Sequence, residues 1–171
     1  MAKIKQVAIA VGNPEASAKY YSEALGLEII GKVTNENEEG YFLTDGDINI
    51  ALFKFYTEEA AHFVPGGVDY RGLHHLGFLV DDAEEACKKL EDHGSELIPV
   101  ANRSYSKYFS PNGEIVEVTQ IGWPGMSATL SPEEAYVRGV PNVGLDKNPE
   151  VMLHADRLEV QKRKAKDNKK S

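Results

Sequence analysis

Two histidines stand side by side in GLHHLGFLVDD (72–82), at the head of an apolar run. Imidazole is the side chain best suited to carry a proton or hold a metal near neutral pH. Neighbouring residues on a strand point to opposite faces, so His74 and His75 are expected to do different jobs. A carboxylate follows at Glu117 in GEIVEV. It lies between Val116 and Val118, and alternation puts it on one face and both valines on the other. An inward carboxylate needs a partner, because an unpaired buried charge is costly. In SYSKYF, Tyr105 and Lys107 share one face, and Tyr108 shares the other with Ser106. Lys107 or Tyr105 can bind an anionic oxygen or move a proton. Arg103 shares the alternating face of Tyr105 and can clamp a carboxylate. The competing readings are a merely packed His75 and a plain strand carboxylate at Glu117. His74 reads as a residue of the other face, and His62 as a linker residue.

Something must hold these residues together, and an internal repeat supplies it. IKQVAIAVGNPEASAKYYSEALGLEII (4–30) parallels LHHLGFLVDDAEEACKKLEDHGSELI (73–98). Each copy opens with an apolar strand, breaks at a polar turn and continues as a helix. Asn13 and Asp82 are good N-caps, with acidic residues in the first turn. The apolar stripes are expected at Ala16, Tyr20, Tyr21 and Ala24, and at Ala83, Ala86, Cys87 and Leu90. Gly26 and Gly94 supply the left-handed residue that ends each helix. Beyond it, GYFLTDGDINIALFKFY and YSKYFSPNGEIVEVTQI each read as strand, turn, strand. The expected fold is therefore α+β, with two βαβββ modules whose sheets pair around a cleft. The modules span 1–57 and 73–122, joined by a linker at 58–72. A C-terminal helical extension covers 123–171, where Trp123, Met126 and Tyr136 could cover an interface.

Composition narrows the class. The 171 residues carry a net charge of −8, which argues against nucleic acid as a partner. The last sixteen residues hold seven Lys/Arg against three Asp/Glu, which reads as a solvated helix end. No apolar run approaches a membrane span, and the first strand is too short for a signal peptide. The single cysteine excludes an internal disulfide. A cytoplasmic location is expected.

The doubled pattern, with IKQVAIAVGNPEASAKYYSEALGLE opening one copy and GLHHLGFLVDDAEEACKKLEDHG the other, resembles the vicinal oxygen chelate superfamily. That group includes glyoxalase I, extradiol dioxygenases, methylmalonyl-CoA epimerase and bleomycin-resistance proteins. SPNGEIVEV looks like its closing hairpin. The resemblance implies metal ligands on the first and last strand of a module. It assigns those places to Gln6, His75 and Glu117. The first module's last strand, DGDINIALF, has no acid at Asn49, Ile50 or Ala51 to complete a set of four. One imidazole, one carboxylate and one amide oxygen suit a divalent ion, Fe(II) or Mn(II), with zinc also possible. Extradiol dioxygenases have an acid/base tyrosine ten residues before the last-strand glutamate. Here Lys107 holds that place, with Tyr108 next to it.

Three functions are compatible with these residues. The first is a metal-dependent enzyme acting on a small molecule with adjacent oxygens, with extradiol-type ring cleavage as its leading version. The second is a glyoxalase-like lyase or isomerase. The third is a metal-free binding or resistance protein. A homodimer is expected from the resemblance.

Overall fold

The computed structural model describes residues 1–99, 105–120 and 122–123. The extension from 124 onward and Arg103 lie outside them. The first module runs β1 (Lys3–Ala10), α1 (Pro14–Leu25), β2 (Glu28–Thr34), β3 (Glu38–Thr44) and β4 (Asn49–Phe55). The second runs β5 (Gly72–Leu79), α2 (Ala83–Asp92), β6 (Glu96–Ile98), β7 (Ser106–Phe109) and β8 (Ile115–Thr119). All eight strands form one mixed sheet in the order β2-β3-β4-β1-β5-β8-β7-β6. The two modules join edge to edge where β1 pairs antiparallel with β5. The first strand of each module is thus central, and residues on one can reach residues on the other.

The helix ends follow the capping chemistry. The Asn13 carboxamide accepts from Ala16 N–H at 2.9 Å, and the Asp82 carboxylate accepts from Glu85 N–H at 2.9 Å. Gly26 closes α1 at φ 76°, and Gly94 lies one residue past the α2 cap at φ 83°. The expected stripe of α2 is half-buried throughout. That of α1 is not the one expected. Ala16, Tyr20 and Ala24 are exposed, and Ala18 is fully buried against Leu43 and Leu52. A small residue at the contact lets the helix lie close to the sheet; of the expected stripe only Tyr21 packs against this cluster, and Tyr20 is turned to solvent.

The sheet face away from the helices is divided. In the first module it is apolar: Ala8, Val33, Phe42 and Ala51 form a cluster joined by Phe53. In the second module it carries buried His75, Lys107 and Glu117 beside the apolar Leu79 and Trp123. Phe42 meets Phe53 edge-on with centroids 5.7 Å apart, and Phe53 stacks on Phe55 at 5.6 Å. Such aromatic pairs contribute about 0.5–1.5 kcal/mol beyond their burial.

Two bulges at the module junction decide where side chains point. Register shifts fall between Ile4 and Gln6 on β1 and between Ala8 and Ile9 opposite β5. The extra residues are Lys5 and His74, which occupy the same place in the repeat. A bulge sets two residues against one and breaks the alternation. Lys5 turns to Asp47, pairing with its carboxylate and, at 3.2 Å, its carbonyl. His74 turns to the same side as His75.

Candidate functional site

A row of polar side chains crosses the middle of the sheet. Register aligns Asn49 with Gln6, Gln6 with Gly77, Gly77 with Glu117, and Glu117 with Lys107. His75 lies two residues before Gly77 on the same strand. All five polar groups are buried, Glu117 at 2% exposure and Lys107 at 4%. Such burial requires hydrogen bonding throughout, and the contacts show it. Gln6 Nε2 donates to Asn49 Oδ1 at 3.0 Å, which turns Gln6 Oε1 toward His75 Nε2 at 3.2 Å. His75 Nε2 is 3.3 Å from Glu117 Oε2, and Lys107 Nζ is 3.3 Å from that same oxygen. The Trp123 indole N–H donates to Glu117 Oε1 at 2.7 Å.

The tautomers of the two histidines follow from one carbonyl. His74 Nε2 lies 3.1 Å from the Ala61 carbonyl oxygen, which can only accept, so that nitrogen carries a proton. Burial, His75 and Lys107 together push the His74 pKa down to about 3, so its ring is neutral. Its Nδ1 is then an acceptor, and His75 Nδ1–H donates to it across 2.8 Å. His75 Nε2 therefore faces two oxygens, Gln6 Oε1 and Glu117 Oε2, and offers them a lone pair whenever the ring carries no second proton. Three lone pairs converge, and either a second proton on His75 or a cation must lie among them.

That donor set fits a divalent ion. Adjacent ligands with bonds of about 2.1 Å stand about 3.0–3.4 Å apart in octahedral or tetrahedral sites. The observed separations of 3.2 and 3.3 Å match. The set holds a single carboxylate and a single active imidazole. Among the described residues no group of three or more His, Cys, Asp and Glu gathers as a ligand cluster. Register explains the missing fourth donor. Gly77 opposes Glu117 as Ala8 opposes Ala51, so the first module's counterpart of Glu117 is Ala51, fully buried beside Phe42. Asn49 instead orients Gln6.

Burial opposes ionisation of Glu117, yet Lys107, His75 and the Trp123 N–H outweigh it and hold its carboxyl down at about 2. The carboxylate is charged, as a ligand or ion-pair partner must be. Lys107 Nζ also donates to His62 Nε2 at 3.1 Å and lies 5.4 Å from the Tyr105 ring centroid. Lys107 and Tyr105 thus share a neighbourhood. Tyr108 is not in it: it lies on the helix side of β7 and donates to Glu91 Oε1 at 3.0 Å. Burial and its bonds to Cys87 and Glu91 push its phenol upward.

Three members of the site were missed or misplaced in the sequence reading. His74 does not face away, because the bulge turns it inward. His62 is not a plain linker residue. It and Phe63 are left-handed, at φ 53° and 52°, a conformation that costs about 1–2 kcal/mol per non-glycine residue. The kink sends His62 inward (6% exposed) and Phe63 outward (71% exposed). Strain held next to buried polar groups is a mark of functional sites. Trp123, read as a surface-covering residue of the extension, is 9% exposed and bonded to Glu117. None of the three carries a local sequence signal beyond residue type.

The neutral, buried His74 has a consequence for stability. The unfolded chain protonates this ring near pH 6.5, whereas the folded chain resists until about pH 3. The unfolded state then binds more protons across that window, so stability falls as pH falls through it. The slope approaches about 1.4 kcal/mol per pH unit. Glu117, held at about 2 against an ordinary 4.5, acts in the same direction below about pH 4.5. Urea midpoints measured from about pH 7 down to 5 should decline, and His74→Phe should flatten the decline. A decline as steep in His74→Phe as in wild type would refute the neutral His74.

Paired βαβββ modules with a buried polar row at their junction define the class of fold. A family model described as the Glyoxalase/Bleomycin resistance protein/Dioxygenase superfamily matches residues 3–118, and the chain belongs to that superfamily. No curated protein matches the chain. Among solved structures, a hypothetical protein from Bacillus halodurans C-125 is 25% identical with TM-score 0.55, over 68% of this chain and 92% of that one. A Streptomyces coelicolor methylmalonyl-CoA epimerase, solved with 2-nitronate-propionyl-CoA, is 19% identical with TM-score 0.55, over 68% and 94%. The Mycobacterium tuberculosis methylmalonyl-CoA epimerase is 23% identical with TM-score 0.54, over 67% and 85%. The epimerases share the fold. Among the described residues no helix is long and apolar enough to cross a membrane.

Proposed function

We propose that the chain is a metal-dependent enzyme acting on a small molecule with two adjacent oxygens, and that its reaction is extradiol-type ring cleavage. One observation supports this reading: Ala51, which has no donor, stands where β4 matches Glu117, so among the described residues the proposed protein ligands are Gln6, His75 and Glu117. A bound Fe(II) or Mn(II) ion supplies Lewis acidity there. Three protein donors would leave positions open on such an ion for a substrate with two adjacent oxygens. The chain's own residues would do the rest. Gln6 and Glu117 flank the substrate oxygens, and the His74–Ala61 contact keeps the His75 lone pair facing inward. Lys107, backed by His62 and Tyr105, takes or returns a proton on a substrate oxygen. A cleft of about 380 Å³ between Val64, Pro65 and Tyr70 and the β7–β8 turn reaches His74 and His75. Its size suits a small molecule.

A second reading has its own support. Lys107 and His62 form a buried proton-carrying pair, which suits proton transfer next to a polarised carbonyl, as in a lyase or isomerase.

Metal analysis of protein purified without chelator tests both. About one divalent ion per chain is expected, and His75→Ala should remove it. Metal content that is sub-stoichiometric and indifferent to His75→Ala would sink both enzyme readings in favour of a metal-free binder. With metal present, O₂ uptake on addition of catechols supports ring cleavage. Turnover of a hemithioacetal without O₂ uptake supports the isomerase. A homodimer belongs to the proposed assembly, and light scattering on the purified chain tests it.

A further inference from the structure

The 380 Å³ cleft lies where β5 outruns β8. β5 begins at Gly72, but β8 joins it only from the Leu76–Val116 pair onward. Alongside Leu73 to His75 the linker and the β7–β8 turn flank the strand instead, and the groove runs between them. Its walls are aliphatic: Val64 and Pro65 of the linker, Leu73 and Leu76 of β5, Ile115 and Val116 of β8. Both sides are held by hydrogen bonds. The Tyr70 hydroxyl donates to the Leu73 carbonyl at 2.9 Å, and Gly67 N–H donates to the Val64 carbonyl at 2.8 Å. On the turn, Gly113 N–H donates to the Ser110 carbonyl at 2.9 Å, and the Ser110 hydroxyl donates to the Glu114 carboxylate. Walls formed in advance lower the ordering cost of binding. Charge narrows what the groove takes. Glu114 is the one carboxylate among the lining residues, none of which is Lys or Arg, and it is exposed at the mouth. Its bond from Ser110 holds the carboxyl below its ordinary range, while His74 is neutral. An anionic group is repelled there, and any charge laid against the aliphatic walls loses its water.

We propose that this groove binds an uncharged aliphatic chain, carried as an arm of the small molecule whose oxygens meet the polar row. Of that row the groove reaches His75, with His74 next to it, so the arm leaves the reacting end past the imidazole. Val64 and Leu73 set the size of chain that fits, and Glu114 rejects a carboxylate or phosphate end. Binding energy from the arm, remote from the reacting oxygens, is available to orient them. The proposal rests on the preceding reading only for the molecule that carries the arm. The groove itself needs no metal.

The test uses the full chain, stripped by chelator, with 1-butanol, 1-hexanol and 1-octanol as probes. Affinity should rise roughly two- to fourfold per methylene, the upper figure corresponding to full burial. The amide NMR signals of Val64, Leu73 and Ile115 should shift in step with binding. Hexanoate at low salt should bind more weakly than 1-hexanol, and Glu114→Gln should narrow that gap by up to roughly fivefold, the strength of a close charge pair in water. Leu73 is 53% exposed, so Leu73→Asp should fold as wild type does and lose the alcohols. Val64→Trp should block the groove by size. Affinity that does not grow with chain length overturns the proposal. So does 1-octanol binding that both variants leave unchanged, or hexanoate that binds as tightly as 1-hexanol. The link to the row has its own probe. Octanohydroxamic acid is uncharged near neutral pH and carries oxygens on adjacent atoms. It should bind Mn(II)-loaded protein roughly tenfold or more tighter than stripped protein, and Leu73→Asp should weaken it in both. Tight binding to the loaded protein that Leu73→Asp leaves unchanged would show that row and groove do not share one ligand. One divalent ion per chain without alcohol binding would sink this proposal and leave the metal-enzyme reading standing. Alcohol binding in the groove of a chain that takes up no metal would do the reverse.

Discussion

Glu117→Gln is expected to lower folding stability by about 3–5 kcal/mol, the cost of removing one partner from a buried ion pair. Lys107 is 4% exposed and has its ammonium 3.3 Å from Glu117 Oε2. With the carboxylate gone, that charge stays buried against the neutral His62. The Trp123 and His75 contacts lose a charged acceptor as well, and hydrogen bonds to charged groups are worth roughly twice neutral ones. Urea denaturation of metal-free protein would measure the loss. Glu117→Gln with Lys107→Met should recover most of it, since both charges are then gone. A single variant within about 1 kcal/mol of wild type would mean that Lys107 is neutral or hydrated in the folded chain.

His74→Phe should weaken divalent-metal binding by about 10–100-fold, the usual effect of removing a group that orients a ligand. The phenyl ring can keep the place beside Phe55, whose centroid lies 4.6 Å from that of His74. It cannot accept from His75 Nδ1–H or donate to the Ala61 carbonyl. His75 then loses the contact that holds its proton on Nδ1, and its Nε2 lone pair is no longer fixed toward Gln6 and Glu117. His74→Gln should restore much of the affinity, because a carboxamide can accept from one group and donate to the other. Calorimetric titration of chelator-treated protein with Mn(II) reads the difference. Equal affinity for His74→Phe and wild type would show that His74 only packs.

Much of the site was legible from residue types and the repeat. Aligning the two copies pairs His75 with Gln6, because equivalent strands place equivalent residues. Alternation in GEIVEV puts Glu117 inward, and SYSKYF separates Lys107 from Tyr108. These inferences need only the two-residue period of a strand, and they survive in the structure. The departures have different physical origins. A bulge inserts one residue without any mark in the hydrophobic pattern, so His74 was assigned to the wrong face. His62 is aimed by two left-handed residues whose side chains do not advertise that conformation. Trp123 reaches the site through a glycine turn after the last strand, where periodicity ends.

The sequence by itself determined the doubled βαβββ plan, the helix caps and the strand identities of Gln6, His75, Lys107 and Glu117. Each depends on neighbours within one element, where local geometry is enough. Only the tertiary structure decided that Ala51 stands where β4 matches Glu117, how His74 and His75 meet and what lies over Gly77. Those depend on register between β1 and β4, on a carbonyl thirteen residues from His74, and on an indole packed against a glycine from another strand. Contacts between elements are fixed when the sheet assembles, and no pattern within one segment encodes them.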